Sequence, residues 1–585
     1  MKPAPCAKPA PSVGRRALPV LAAALLAAAL AGCQPAAPSP TASSPHTPTA
    51  TAVAAAPQTA TATASPTSAP PTATPTPAPS LTPTPIIIPG GRVVHGGLEP
   101  VRYLNPLAGD LNAAEQSLAD LLFEGLLTLD PLNGDLQPGL AERWSFSADG
   151  LRVTFWLRPG LKWHDGAPLQ AVDVVRSLNQ AMDRLGGARL WPVLAPVAEV
   201  RAVADNQVTV QFAEADCRAF WALTQVKVLP ERLVAERLAV DQGVAEPTAV
   251  GSGPFRWAGQ EENGALVLAA YTEHWQHSPY LDAWVYQAYP DAASLSQALE
   301  AGAVDVALGA SPGVPGYTVQ PLPGDSYLVL LFNTGRTFLR DAAVRQTLSG
   351  LLDRPRLLQE VAGVGQVWDA PLPPGHWALP AGMASGSGGD PQAARRALER
   401  AGWGDEDGDG YLEYRGRAVT LAVETNQEND LRVGTALRVA GQLREAGLAA
   451  EVHQVEWGSL LSDLERQDYD LAVLSLPLHA EPANCTLWRP DTGTAGEPFD
   501  WTGGDQTALL EALEQAQAAP GCGSATRAGL YAAAWAWLER EKPYQFLFSP
   551  ARALAKAHGL GGLAASPFLP WNWNAHYWYW AAGPG

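Results

Sequence analysis

The sequence predicts a mixed α/β protein whose folded body has at least two lobes. Three observations carry that reading. Strand-like segments over 418–424, 449–456 and 469–476 alternate with helix-like segments over 430–445 and 459–466, the pattern of a parallel or mixed sheet covered by helices. A break in composition near Gly91 divides a stretch without charged residues from a globular remainder. That remainder holds nearly 500 residues, more than one hydrophobic core serves.

The elements follow in order. The first 32 residues carry Lys2, Lys8, Arg15 and Arg16 and no acid, and 17–30 is apolar apart from Pro19. This is the charged and apolar layout of an export signal, too short and Ala-rich for a membrane span. Leu30-Ala-Gly-Cys33 has the form of a bacterial lipobox, so Cys33 is the expected acylation site and new N-terminus; an ordinary secretory signal is the alternative. From Gln34 to Pro89 there is no Asp, Glu, Lys or Arg, and 15 of 56 residues are Pro. Such a segment buries no core and favours extended polyproline II. At roughly 3.1 Å per residue its reach is on the order of 170 Å, that of a tether. The expected location is outside the cytoplasm, lipid-anchored to a bacterial cell membrane, in a periplasm or at the cell surface.

In the body, 153–157 and 208–212 alternate apolar and polar residues as strands. Over 168–184 the apolar residues Leu169, Val172, Val175, Leu178 and Met182 recur at helical spacing. Asp390-Pro391, followed by Ala394, Leu398 and Gly402, reads as a helix with an N-cap, Pro at its first position and a terminating Gly.

Charge and cysteine content exclude whole classes of function. The chain has 39 Lys+Arg against 58 Asp+Glu, a net charge of −19. Without the four basic residues of the leader the balance is 35 to 58, or −23. A surface that acidic repels phosphate backbones, so nucleic-acid binding is excluded. Five cysteines are too few for a disulfide scaffold or a multi-cysteine metal cluster. After export Cys217, Cys485 and Cys522 remain. Cys485 and Cys522 flank one segment and can pair, closing a loop of about 37 residues worth roughly 3–4 kcal/mol in the chain-entropy model, while Cys217 stands far off in sequence.

Four clusters hold reactive residue types. Gly309-Ala-Ser311-Pro-Gly313 matches a hydrolase elbow after a strand over 304–308. However, the elbow needs a backbone N–H after its serine, and Pro312 has none; a turn is the better reading. Asp405-Glu-Asp-Gly-Asp-Gly410 resembles half a calcium loop, with Glu413 at position 9. Position 12, where a bidentate Glu belongs, is Gly416, and Asp-Gly runs also make tight turns. His274-x-x-His277 lies in a loop-like stretch with no third ligand at metal spacing. His479, Glu481 and Cys485 follow a strand and read as a loop before a metal site. No HExxH, CxxC or phosphate loop is present. The expectation is a protein without catalytic residues, metal or cofactor.

An ordered series of motifs adds a resemblance. Tyr103-Leu-Asn-Pro106, Phe123-Glu-Gly-Leu126, Gly139-Leu-Ala-Glu-Arg-Trp144, Ser147-Ala-Asp-Gly150, Phe155-Trp-Leu-Arg158, Lys162-Trp-His-Asp-Gly166 and Ala171-Val-Asp-Val174 come in turn. Gly251-Ser-Gly-Pro-Phe255, Leu331-Phe-Asn333, Val344-Arg345, Leu352-Asp-Arg354, Gly402-Trp403 and Tyr469-Asp470 continue it. The series resembles the family 5 extracellular solute-binding proteins, the oligopeptide-, dipeptide- and nickel-binding receptors of ABC importers. The resemblance implies a two-lobed, periplasmic-binding-protein-like clamp (type II) with an additional domain on lobe I. By similarity lobe I comprises 91–130, 248–328 and 546–585, the extra domain 131–247 and lobe II 329–545, after a 1–32 signal peptide and a 33–90 lipidated tether. It further implies a ligand in the interlobe cleft, no chemistry, a membrane permease and ATPase subunits as partners, and a monomeric receptor.

In peptide-binding members the ligand backbone pairs with short segments of both lobes. The matching residues here are Asp110, Leu111 and Asn112, then Ser475, Leu476 and Pro477. An Asp that holds the peptide's α-ammonium matches Leu478, which has no acceptor, and Pro477 removes a backbone N–H. Both departures argue against an unmodified oligopeptide held in the family's usual way; Glu481 or Asp110 could substitute as the acceptor. Trp457 matches a pocket aromatic or is a helix-start packing residue, and Asn333 matches a cleft-edge position. The aromatic run 571–580 reads as a strand of lobe I whose tryptophans are structural. The leading reading is a substrate-binding lipoprotein of an ABC importer for a peptide-like or other small organic solute, with a metal chelate also open. A ligand-sensing surface lipoprotein and, on Ser311, a secreted hydrolase are the alternatives.

Overall fold

The computed structural model describes residues 87–107, 109–183, 190–236, 249–309, 313–380, 389–482, 502–503 and 505–581. Cys33, nearly all of the tether, Ser311 and Cys485 lie outside those residues. Among the described residues no helix is long and apolar enough to cross a membrane.

Three sheets organise the body. A seven-stranded sheet has the order Tyr317–Leu322, Arg552–Ala557, Val306–Leu308, Arg92–Gly97, Ala283–Ala288, Leu266–Ala270, Phe255–Gln260. A six-stranded sheet has the order Gly365–Val367, Tyr544–Pro550, Ser326–Phe332, Leu471–Pro477, Thr420–Asn426, Ala449–Val455. A four-stranded antiparallel sheet, Ala141–Phe146, Arg152–Leu157, Gln207–Phe212 and Val197–Ala204, is inserted between strands of the first.

Burial explains the layers. Along Ser326–Phe332, Tyr327, Val329 and Leu331 join one core and Leu328, Leu330 and Phe332 another. This is the period-2 pattern of a strand buried on both faces. The two cores sandwich the six-stranded sheet, under Thr507–Gln517 and Ser524–Glu541 on one side and Asp430–Glu445 on the other. A separate core joins the seven- and four-stranded sheets through residues such as Trp284, Phe255, Phe155 and Val210.

The alternation of strands and helices over 418–477 is as the sequence predicts, with strands Thr420–Asn426 and Ala449–Val455 parallel in register and helix Trp457–Arg466 between them and Leu471–Pro477. The Pro391–Arg400 helix is capped by Asp390, whose Oδ1 accepts from Gln392 and Ala393 N–H, both at 3.0 Å. The C-terminal aromatic run departs from expectation. It is a series of turns and a short 3-10 segment, Ala575–Tyr577, before the strand Tyr579–Ala581. Its alternation is that of asparagines, not of a pleat. Asn572 Nδ2 donates to Ser117 O at 2.9 Å and Asn574 Nδ2 to Gly562 O at 2.7 Å, and these bonds curl the backbone while Trp571 and Trp578 are buried.

The chain passes between the two large sheets twice, from Leu322 to Ser326 and from Pro550 to Arg552. Ser549 Oγ donates to Ser326 O at 2.7 Å, tying the crossings together. Two adjacent crossings are the covalent anatomy of a hinge.

The cysteines also depart from expectation. Cys217 and Cys522 form a disulfide with Cα atoms 5.3 Å apart, so Cys522 is unavailable to Cys485. The turn Pro520–Cys522 carries Cys522 against the start of helix Cys217–Ala222. Separation in sequence, 305 residues, is no guide to separation across an inserted domain.

Candidate functional site

The carboxyl ends of the parallel strands Thr420–Asn426 and Leu471–Pro477 converge on one side chain, Arg432. Its Nε donates to Ser475 Oγ at 2.8 Å, Nη1 to Asn426 Oδ1 at 2.8 Å and Nη2 to Ser475 O at 3.1 Å. The guanidinium lies 4.9 Å over the Trp457 ring, a cation–π distance. Glu428 completes the group, accepting from Asn426 Nδ2 at 2.9 Å and Trp457 N at 3.2 Å. Burial pulls the Arg432 pKa below its ordinary value, partly opposed by Glu428. The carboxyl ends of parallel strands are where open α/β sheets bind ligands.

The structure thus brings together Ser475 and Trp457 of the expected residues. Leu476 is buried, Pro477 exposed and Leu478 half-buried, its N–H donating at 2.8 Å to Asp325 O beside the hinge. Asn333 does not join them. It follows Phe332, which pairs with Leu471, whereas Ser326 pairs with Pro477, so it lies at the opposite end of the strand. There it is buried and holds Gln467 O and Tyr469 O, both at 2.8 Å. Asn112 caps helix Ala113–Leu122, with Oδ1 accepting from Glu115 N at 2.9 Å. Leu111 is half-buried and Asp110 exposed in the segment before that cap. Glu481 is buried against Arg527 and Tyr531: Arg527 Nη1 donates to Oε2 at 2.9 Å, and Arg527 Nη2 and the Tyr531 hydroxyl both donate to Oε1.

Arg432, Asn426 and Glu428 are absent from the sequence reading, yet one signal marks the first. Arg432 sits in the first turn of helix Asp430–Glu445, where its N–H donates to the Asn429 cap at 3.0 Å. A cation there opposes the helix dipole, and a half-buried one requires partners of its own.

The metal candidates sort by geometry. His274 Nε2 is 3.2 Å from Glu124 Oε1 and its Nδ1 3.2 Å from His277 O, so its ring serves a local network. Asp405, Asp407, Asp409 and Glu413 gather carboxylate oxygens within 4.8 Å of one another. Backbone N–H groups of the same loop occupy an oxygen on each, from Gly408, Asp409, Tyr411 and Glu406 respectively.

The ordered motifs are architectural. His164 Nδ1 accepts from Gly251 N at 3.0 Å, its Nε2 meets Gly253 O at 2.9 Å, and burial lowers its pKa to about 4. Asp173 accepts from Gln170 N at 2.9 Å and Glu231 N at 2.8 Å.

A family model described as bacterial extracellular solute-binding proteins, family 5, middle region, matches residues 135–492, or 358 of the 585 residues. The chain belongs to family 5 of the bacterial extracellular solute-binding proteins. Oligopeptide-binding protein AppA of Bacillus subtilis is 25% identical to it over 495 residues, 82% of this chain and 90% of the relative. The nickel-binding periplasmic protein of Escherichia coli is 23% identical over 433 residues, 68% of this chain and 80% of the relative. The structure of AppA with a nonapeptide superposes with a TM-score of 0.57 at 23% identity, covering 85% of this chain and 100% of that one. The nickel ABC transporter structure from Bacillus halodurans gives 0.69 at 20% identity, covering 83% and 98%. These likenesses establish the two-lobed type II clamp fold. The family 5 protein is therefore a solute-binding protein of the cell exterior, from a family of binding proteins and not of enzymes.

Proposed function

We propose that this family 5 protein is the substrate-binding component of an ABC importer, anchored to the membrane through Cys33. It captures a peptide-like or other small organic solute between its lobes and delivers it to a permease driven by ATPase subunits. The expected bounds are kept except at the two crossings, where strands Ser326–Phe332 and Tyr544–Pro550 pair within the six-stranded sheet: lobe I is assigned to 91–130, 248–324 and 551–585, the extra domain to 131–247 and lobe II to 325–550. The observation that carries the reading is the polar group around Arg432 at the strand ends of lobe II, beside the hinge. An arginine held by Ser475 and Asn426 and stacked on Trp457 supports recognition of a carboxylate or other anionic group of the solute. Leu478 supplies no ammonium acceptor, and Glu481 is engaged by Arg527, so neither of these two residues offers an acceptor to a free N-terminal amine. Family relatives named for peptides and for nickel support a small polar cargo.

The test is native mass spectrometry of the protein purified from its host, before and after denaturing extraction. The expected result is one class of anionic small molecule released on denaturation. Protein that is empty, and whose melting point no peptide, sugar or metal chelate raises, overturns the importer reading. A ligand at 100 times its Kd should add about 2.7 kcal/mol of stability.

A further inference from the structure

The Cys217–Cys522 disulfide does not lie within one lobe. Cys217 begins a helix whose Phe220 packs against Phe146 and Phe155 of the four-stranded sheet. Cys522 lies between Thr507–Gln517 and Ser524–Glu541, helices that cover the six-stranded sheet of lobe II. The bond is thus a third covalent link between the two halves, additional to the crossings at 322–326 and 550–552. Its position relative to them matters. Both crossings continue strands of the sheet itself, whereas Cys522 lies in the helical layer on one face of it. A covalent tether placed outside two adjacent crossings restricts rotation about them.

The surroundings match a fastening. Trp377 N donates to Asn133 O at 3.0 Å, Ser524 Oγ to Asp135 Oδ2 at 2.9 Å and Gln517 Nε2 to Asp216 Oδ2 at 3.1 Å. Trp221 and Trp377 rings meet at 5.5 Å. Each pair takes one residue from lobe II and one from the inserted domain or the segment leading into it. Apolar packing crosses the seam too, with Ala519 and Cys522 buried in the core that holds Phe155 and Phe220; such contacts and hydrogen bonds can part and re-form, whereas a covalent bond does not.

We propose that Cys217–Cys522 is a redox clasp, which holds the lobes together while oxidised and frees the hinge when reduced. The step needs a dithiol, protein or small molecule. Both cysteines are buried, so the seam must first open locally; the dithiol's thiolate then attacks one sulfur, a mixed disulfide forms, and the reductant's second thiol resolves it. Two electrons and two protons pass to the cystine, giving Cys217–SH and Cys522–SH, and the dithiol closes its own disulfide. Lobe separation is then wider in the reduced protein than in the oxidised one.

The experiment uses the full chain and no ligand, so it fails or succeeds independently of the solute assigned above. Peptide mapping without reductant should find Cys217 and Cys522 linked. A Cys485–Cys522 link, or both residues as free thiols, overturns the proposal. Hydrogen exchange and small-angle scattering then compare the protein before and after complete reduction by dithiothreitol. Reduction should leave far-UV circular dichroism unchanged and raise exchange about tenfold or more at 133–135, 216–221 and 517–524, with a larger radius of gyration. The double variant Cys217→Ser/Cys522→Ser should match the reduced protein. Identical exchange and scattering in both redox states overturn the clasp. So does unfolding of both the reduced protein and the variant, which makes the bond a stabilising staple instead.

Discussion

Glu424 lies on the strand that ends at Asn426, two residues from the Arg432 cluster, and is 6% exposed. Its Oε2 is buried with no hydrogen-bond partner among the described residues. Burial pushes its pKa up to about 7, Asp463 adds to the rise and His453 opposes it. The sign of the consequence follows from proton counting. A carboxyl that holds its proton more tightly folded than unfolded favours the folded state while protonated. That contribution is present below its ordinary value of about 4.5 and is lost as pH rises through about 7. The thermal midpoint of Glu424→Gln should therefore exceed that of the parent above about pH 7, and the two should converge toward about pH 4.5. A parent-to-variant difference constant across that range would remove Glu424 as the cause. The carboxyl was visible in sequence only as one polar residue in an alternating strand; its burial depends on a helix, Trp457–Arg466, that packs over it.

At the scale of elements, what the sequence revealed and what it hid divide by the range of the interactions. The helix over 391–400 was legible because its cap, its proline and its terminating glycine lie within a dozen residues. The strand–helix alternation over 418–477 was legible because Thr420–Asn426 and Leu471–Pro477 are buried along most of their length and read as apolar runs, while the mostly unburied edge strand Ala449–Val455 follows from its place between two helices. The aromatic run at 571–580 misled because period 2 in residue type can arise from turns pinned by Asn572 and Asn574 to distant carbonyls. The Cys217–Cys522 pairing and the grouping of Arg432 with Ser475 join residues 305 and 43 positions apart, and no local pattern encodes them. Long-range packing also gives the family motifs their meaning. A Cβ at Gly251 would stand 1.8 Å from Leu122 O, and one at Gly253 2.4 Å from Leu121 O, so the loop lies directly on the end of helix Ala113–Leu122. Gly251→Ala should cost about 2–3 kcal/mol of stability by overpacking, read as a lowered denaturation midpoint; a midpoint within error of the parent would refute the contact. Arg432 is tested at the same scale. Arg432→Ala should weaken binding of the solute recovered from the native protein at least about tenfold, measured by calorimetry, while far-UV circular dichroism stays unchanged. Unaltered affinity would leave Arg432 a purely structural tie between helix and strands.

At the scale of the whole molecule, capture depends on the two crossings between the sheets, and Gly324 sits where they touch. A Cβ there would stand 2.2 Å from Pro550 O and 2.7 Å from Ser549 Oγ on the opposing crossing. Neither obstacle is the end of a flexible side chain: one is backbone, and the other is fixed by its bond to Ser326 O. Gly324→Ala must therefore wedge the crossings apart, and a small displacement at an axis becomes a large one at the far edges of the lobes. Each lobe keeps its own core, so the variant should retain its secondary structure. The clasp and the hinge then make a joint prediction. With Cys217–Cys522 oxidised, the lobes are pinned off the axis, and scattering of Gly324→Ala should match the parent while its melting point falls. After reduction the wedge is free to act, and the scattering of the variant should diverge from that of the reduced parent. Divergence of equal size in both redox states would show that the cystine places no restraint on the hinge. Identical profiles in both states would show that the crossings at 322–326 and 550–552 are not where the lobes turn.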